Sequence, residues 1–258
     1  LEYTLENRSK QKVDYEFSYH LSHFAQATRD GQSSRNAIIP GGVHFYNEED
    51  SHAETYGSGS LSVIGHRPKV KAMWFRGGWF DCISALWREV STGAFKTNTG
   101  ADADQMNGRN GGSIMLSGSL KAGEKITYPI LITWHFPNCH YQAGRVNNQE
   151  VTPDCCDDGD APDWKPFYAT QWTDAKNVAT YIRQNYTSLK SRTEAFHKAL
   201  FSSTLPTYVI DAISANLGIL KSPTFLPQTT AMWGAGKGCL VNRGGVPGTL
   251  TPCGNMAH

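Results

Sequence analysis

The stretch Lys125–Phe136 places Ile126, Tyr128, Ile130, Ile132 and Trp134 at every second position. Only an extended strand puts such a set on one face. The same period of two runs through Leu1, Tyr3 and Leu5, and again through Val13, Tyr15, Phe17 and Tyr19. These runs commit the first half of the chain to half-buried β-strands and predict strands over 1–6, 13–21, 37–39, 43–46, 60–64, 69–75, 112–120 and 126–136. Polar connectors Asn7–Lys12 and Lys121–Lys125 read as turns, which gives a hairpin at the start and a second strand pair over 112–136. Pro129 cannot donate to a ladder and suggests an edge strand or a bulge. Many short antiparallel strands with Gly-rich turns point to a β-sandwich.

Two regions break the period of two. Phe80, Ile83, Trp87 and Val90 fall three and four apart and predict a short amphipathic helix. After Thr173 the spacing becomes helical throughout. Thr173 or Asp174 is the natural N-cap, and Val178, Ile182, Leu189, Phe196 and Leu200 form one stripe. Leu205-Pro206 starts a further helix lined by Val209, Ile210, Ile213, Leu217 and Leu220, and Ser222-Pro223 stops it. The expected organisation is a mainly β protein with a helical C-terminal part: a sandwich over 1–168 and a helical domain over 169–258. Ser91–Gly112 and Pro137–Lys165 read as loops.

Charge and composition exclude several functions. Among 258 residues, 24 basic side chains face 23 acidic ones, for a net charge of +1. That is no footprint for nucleic acid or an anionic membrane surface. No apolar run reaches the 18 residues of a transmembrane helix. Cys82, Cys139, Cys155, Cys156, Cys239 and Cys253 lack any metal-binding spacing. They read as free thiols of a reducing compartment, the cytoplasm, rather than as a disulfide framework. No cofactor is implied: GxSxG, HExxH and a phosphate-binding loop are all absent, and Gly236-Lys237-Gly238 is too short for the last.

Among candidate site residues, Trp134 and His135 end a strand and enter a loop. The indole can stack on a pyranose while the imidazole bonds its hydroxyls, or both can pack an interface with the next domain. The acidic cluster Asp154–Asp160 lacks the alternation of a calcium loop and reads as solvated. Asp102 and Asp104 carry no glycosidase geometry by spacing alone. His20, His23, His44, His66 and His197 read as ordinary histidines, and sequons stand at Asn7 and Asn185.

Three stretches carry a resemblance. They are "TWHFPN" at Thr133–Asn138, "FYATQWTDAKNVATYI" at Phe167–Ile182 and "LKSRTEAFHKALFSSTLPTYVIDAISANLGILKSPTF" at Leu189–Phe225. The opening "YTLENRSKQKVDYEF" supports them. Together they resemble glycoside hydrolase family 116, the non-lysosomal glucosylceramidases and related β-glucosidases. The resemblance implies a β-sandwich followed by an (α/α)6 barrel, of which this chain would hold an internal fragment ending after the first helices. It implies retaining hydrolysis of a β-glucoside or glycolipid through a covalent glycosyl-enzyme intermediate. The Glu nucleophile and Asp acid/base are expected beyond His258, so no catalytic residue is assigned here, and Trp134 and His135 are the substrate-binding candidates.

The tail departs from the family. Trp233-Gly234-Ala235-Gly236-Lys237-Gly238-Cys239 stands where the family has Trp-Gly-Trp-Glu-Gly-Cys. Gly248–Asn255 keeps the frame of a second motif without its His and Trp. A reading-frame slip and real divergence both give this result. The alternatives to a hydrolase fragment are a non-catalytic carbohydrate-binding or interaction module, with Trp74, Trp79 or Trp87 as further stacking platforms, and an inactive remnant.

Overall fold

The computed structural model describes residues 1–27, 33–75, 81–99, 111–138 and 165–217, together with the backbone of 224–225 and 241–242. The chain forms two compact units. The first comprises Leu1–Phe136 with Trp172–Arg183, and the second Pro137–Gln171 with Gln184–His258.

The first unit is a sandwich of two antiparallel sheets. Its strands are β1 (Glu2–Glu6), β2 (Val13–Ser22), β3 (Ser34–Ile39), β4 (Gly42–Asn47), β5 (Ser58–Val63), β6 (Lys69–Lys71), β7 (Gly111–Leu120) and β8 (Lys125–His135). One sheet has the order β1-β8-β5-β4-β3 and the other β2-β7-β6. Val43, Phe45, Leu61, Val63, Tyr128 and Ile130 of the larger sheet meet Ala72, Ile114 and Leu116 from the other side in one buried cluster. Burying such side chains is the main drive for the fold, worth roughly 1.5–3 kcal/mol each.

The expected hairpins are not hairpins. β1 pairs with β8, and β2 pairs with β7. Both connectors therefore cross between the sheets as arches. Alternating apolar residues serve equally well side by side in one sheet or face to face across a core, and here they face each other. Asn7 locks the two arches together. Its Nδ2 donates to the carbonyls of Gln11, Leu120 and Lys121 at 2.7, 2.9 and 3.0 Å. Its Oδ1 accepts from the backbone N–H and hydroxyl of Ser9. Its backbone N–H donates to Glu124 O at 2.9 Å and its carbonyl accepts from Gly123 at 2.8 Å. Gly123 sits at φ +75°, where a side chain would be strained.

Two other expectations shift. Pro129 lies in β8, between β1 and β5, and not at an edge. Ile130 exchanges both of its backbone bonds with Leu1, so Pro129 faces the β5 side, where its carbonyl accepts from Ile64 N at 3.0 Å just past the end of β5 and only the reciprocal bond is missing. The strand expected over 69–75 stops at Lys71. Beyond it Asn98 takes over the ladder: it accepts from Ala72 and Met73 and donates its Nδ2 to Met73 O at 2.7 Å.

Helix α1 (Cys82–Ser91) is capped by Asp81, which accepts from the N–H groups of Ile83 and Ser84. It is held by a Lys71–Glu89 ion pair at 2.9 Å. Its expected apolar stripe is outward: Trp87 is 69% exposed and Ile83 is exposed, while Leu86 is buried. Helix α2 (Ala175–Phe201) begins at Asp174, whose Oδ1 accepts from Asn177 N at 2.6 Å. Its first turns lie on the outer face of the larger sheet, where β5 presents Ser58, Ser60 and Ser62. Ala175 N donates to Ser58 Oγ at 2.9 Å and Thr133 Oγ1 donates to Ala175 O at 2.8 Å. Ala175 and Ala179, one turn apart, are the buried residues of the helix. Small groups on both surfaces let them approach closely.

In the second unit, a 3-10 turn spans Phe167–Thr170, and α3 (Thr207–Asn216) starts after Pro206. Ile210 is buried, but Phe196, Phe201, Leu205, Tyr208 and Ile213 are exposed. Two-residue strands β9 (Thr224–Phe225) and β10 (Val241–Asn242) pair antiparallel.

Candidate functional site

Alternation along β4 sends Val43 and Phe45 into the core and His44 and Tyr46 to the opposite face. The register then sets His44 beside Ala37 and Ser60, and Tyr46 beside Arg35 and Ser58. Because α2 covers the β5–β8 part of that face, the β3–β4 part stays open. The result is a pocket of about 350 Å³ lined by His44, Tyr46, Tyr56, Ser58, His135, Asp174 and Lys176, among others.

His44 forms part of its wall and is 7% exposed, and its Nδ1 has no hydrogen-bond partner. The imidazole and the Tyr46 ring are nearly parallel, with centroids 5.4 Å apart and planes at 19°. Burial holds the His44 pKa below the ordinary 6.5; the Asp174 carboxylate opposes this and the Lys176 ammonium reinforces it. Burial likewise lowers His135, against the Trp172 carbonyl and Asp174. His135 Nε2 meets that carbonyl at 2.9 Å, which makes it the protonated nitrogen of a neutral ring. Both histidines are thus largely uncharged at pH 7 and above.

The pocket offers donors and acceptors together: phenols, imidazole, carboxylate and ammonium. It offers one carboxylate, and Asp174 is already capping α2. Retaining glycoside hydrolysis needs two carboxyls about 5–5.5 Å apart, so the arrangement suits binding. Among the described residues no group of three His, Cys, Asp or Glu is placed to hold a metal. No described helix is long and apolar enough to cross a membrane.

Residues 1–189 match the family model described as "beta-glucosidase 2, glycosyl-hydrolase family 116 N-term". The chain belongs to glycosyl-hydrolase family 116. No curated protein matches it. The family 116 match covers the whole sandwich and the first half of α2.

Within this family 116 domain, Trp134 and His135 are adjacent on β8 and so face opposite sides of the sheet. Trp134 is 62% exposed and His135 is 3% exposed in the pocket wall. One sugar ring cannot be gripped by both. Trp74 is buried, its Nε1 donating to Ser113 Oγ at 2.7 Å, so it offers no stacking surface. Ser113 also bonds His20 at 2.7 Å, His23 bonds Arg35 O at 3.1 Å, His66 packs edge-on against Tyr128, and His197 meets Phe201. These four serve the packing. His44 is the residue that sequence reasoning passed over. The only signal was its place in Val43-His44-Phe45-Tyr46, on the face away from the core. Cys82 is free and half-buried. Trp79, Asp102, Asp104, Asp154–Asp160, the other cysteines, Ser222-Pro223 and both tail motifs lie outside the described residues.

Proposed function

We propose that the chain is the sandwich and the opening helices of a β-glucosidase or glucosylceramidase that works by the retaining, two-step route. The family 116 match over residues 1–189 carries the reading. In it, α2 and α3 are the first members of an (α/α)6 barrel. Their exposed Phe196, Phe201, Tyr208 and Ile213 are what helices of a closed ring present before their neighbours are in place. The sandwich then supports the barrel, while the Glu nucleophile and Asp acid/base come from residues other than 1–258. Exposed Trp134 is a stacking surface for a glycan or glycolipid head, and His135 a polar contact elsewhere on the same substrate. A cytoplasmic setting belongs to the same reading, on the absence of a disulfide-like cysteine pattern in the sequence.

The test is hydrolysis of an aryl β-glucoside by two samples: this 258-residue chain and the product of the longest uninterrupted reading frame that contains it. Turnover in the second and none in the first is expected. Hydrolysis by the chain alone, or an inactive full product, would overturn the reading.

A further inference from the structure

We propose that the outer-face pocket beside the start of α2 is a binding site for a neutral pyranose ring. It rests on the cavity and its polar groups and goes beyond the proposed hydrolysis.

The pocket lies within the size range of small-ligand sites. Several polar groups at it have no partner among the described residues. The hydroxyls of Tyr46 and Tyr56 and the Lys176 ammonium make no hydrogen bond or ion pair with the described residues, and Asp174 commits one carboxylate oxygen to Asn177 N. His44 Nδ1, on a side chain more than nine-tenths buried, is likewise without a partner. The His44 nitrogen is itself enclosed, so the half-buried phenols and the exposed Lys176 ammonium are the groups open to ligand hydroxyls.

Charge selects the ligand class. A helix N-terminus with a nearby lysine favours an anion, but here Asp174 occupies the helix end, and Ser58 and Asp174 already accept from Ala175 and Asn177. A phosphate or carboxylate would meet that carboxylate. The opposed charges of Asp174 and Lys176, with neutral imidazole and phenols between, suit a ligand that gives and takes hydrogen bonds without carrying charge. The nearly parallel His44–Tyr46 pair adds a flat aromatic wall for the C–H face of a sugar.

The experiment is a titration of the 258-residue chain at pH 7.5 with methyl β-D-glucopyranoside, and separately with inorganic phosphate, following the imidazole Cε1–H signals by NMR. Saturable movement of His44 and His135 with the glucoside, but not of His20 or His23, is expected at a millimolar Kd. Lys176→Ala and Tyr56→Phe, both outside the core, are expected to weaken that Kd by roughly threefold to tenfold, the loss of one hydrogen bond each, without lowering the unfolding midpoint. Three results overturn the proposal: no saturation at His44 up to about 50 mM, far above a millimolar Kd; saturation by phosphate in place of the glucoside; or a glucoside Kd unchanged in both variants. None of these readouts depends on turnover, so failure here leaves the hydrolase reading standing, and the reverse also holds.

Discussion

The sandwich and the helical unit bury their apolar residues to different degrees. In the sandwich, Phe45, Leu61, Val63 and Ile114 are fully buried among residues of the two sheets, with His23 and Phe24 also packing on Phe45. In the helical unit, α3 buries Ile210 and leaves Tyr208 76% exposed with Ile213 beside it. The pocket over Tyr208, Val209, Ala212, Ile213 and Leu217 is an apolar hollow on a single helix. A two-layer sheet closes its core with its own strands, whereas an amphipathic helix needs neighbours to do so. The sandwich therefore carries its stability internally, and the helices carry part of theirs as unspent association surface.

Four perturbations test that contrast. Phe45→Ala opens a cavity at a fully buried position and is expected to cost about 3–5 kcal/mol, read as a lower urea midpoint with an unchanged slope. A cost near zero would show that the sandwich is not the stable unit. Asn7→Ala leaves the Leu120 and Lys121 carbonyls without their donor, and about 2–3 kcal/mol is expected from chemical denaturation.

Acid should weaken the sandwich through its buried histidines. Burial keeps His23 and His44 below the ordinary 6.5 in the folded chain. Above that pH both states are neutral at these rings and stability is unaffected by them. Below it the unfolded chain takes up protons that the folded chain refuses. Stability then falls with pH by up to about 1.4 kcal/mol per unit for each ring, until the folded rings protonate too. A thermal midpoint flat between pH 7 and 5 would contradict this. The smallest stability change belongs to the helical unit. Tyr208→Lys should stay within about 0.5 kcal/mol of the parent, yet reduce self-association in light scattering. Destabilisation as large as that of Phe45→Ala would erase the distinction between the units.

Strand positions were legible because side-chain alternation reports directly on a face, and β2 and β8 begin and end within about two residues of the expectation. Pairing was not legible. The period of two in Leu1–Glu6 and Val13–Leu21 is the same whether those strands adjoin or oppose, and the deciding contacts run from Asn7 to Leu120, more than a hundred residues away. The N-cap Asp174 is local chemistry and was readable. The outward turn of Trp87 was not, because a hydrophobic stripe gives a face and not what covers it. The candidate pocket was least visible of all. It joins β3, β4, β5, β8 and the start of α2, and its central residue, His44, looks ordinary in isolation.

Asn7 also opens the tripeptide Asn7-Arg8-Ser9, an acceptor for N-linked glycan. In the folded chain its amide nitrogen is buried and committed to three carbonyls. A sugar can be attached only before the arches close. Once attached, it would leave one N–H to serve the three carbonyls that the free amide now holds. In any host whose secretory machinery meets this chain, occupancy at Asn7 would therefore record how long folding was delayed: molecules that fold promptly stay bare, and glycosylated ones close their arches with fewer bonds.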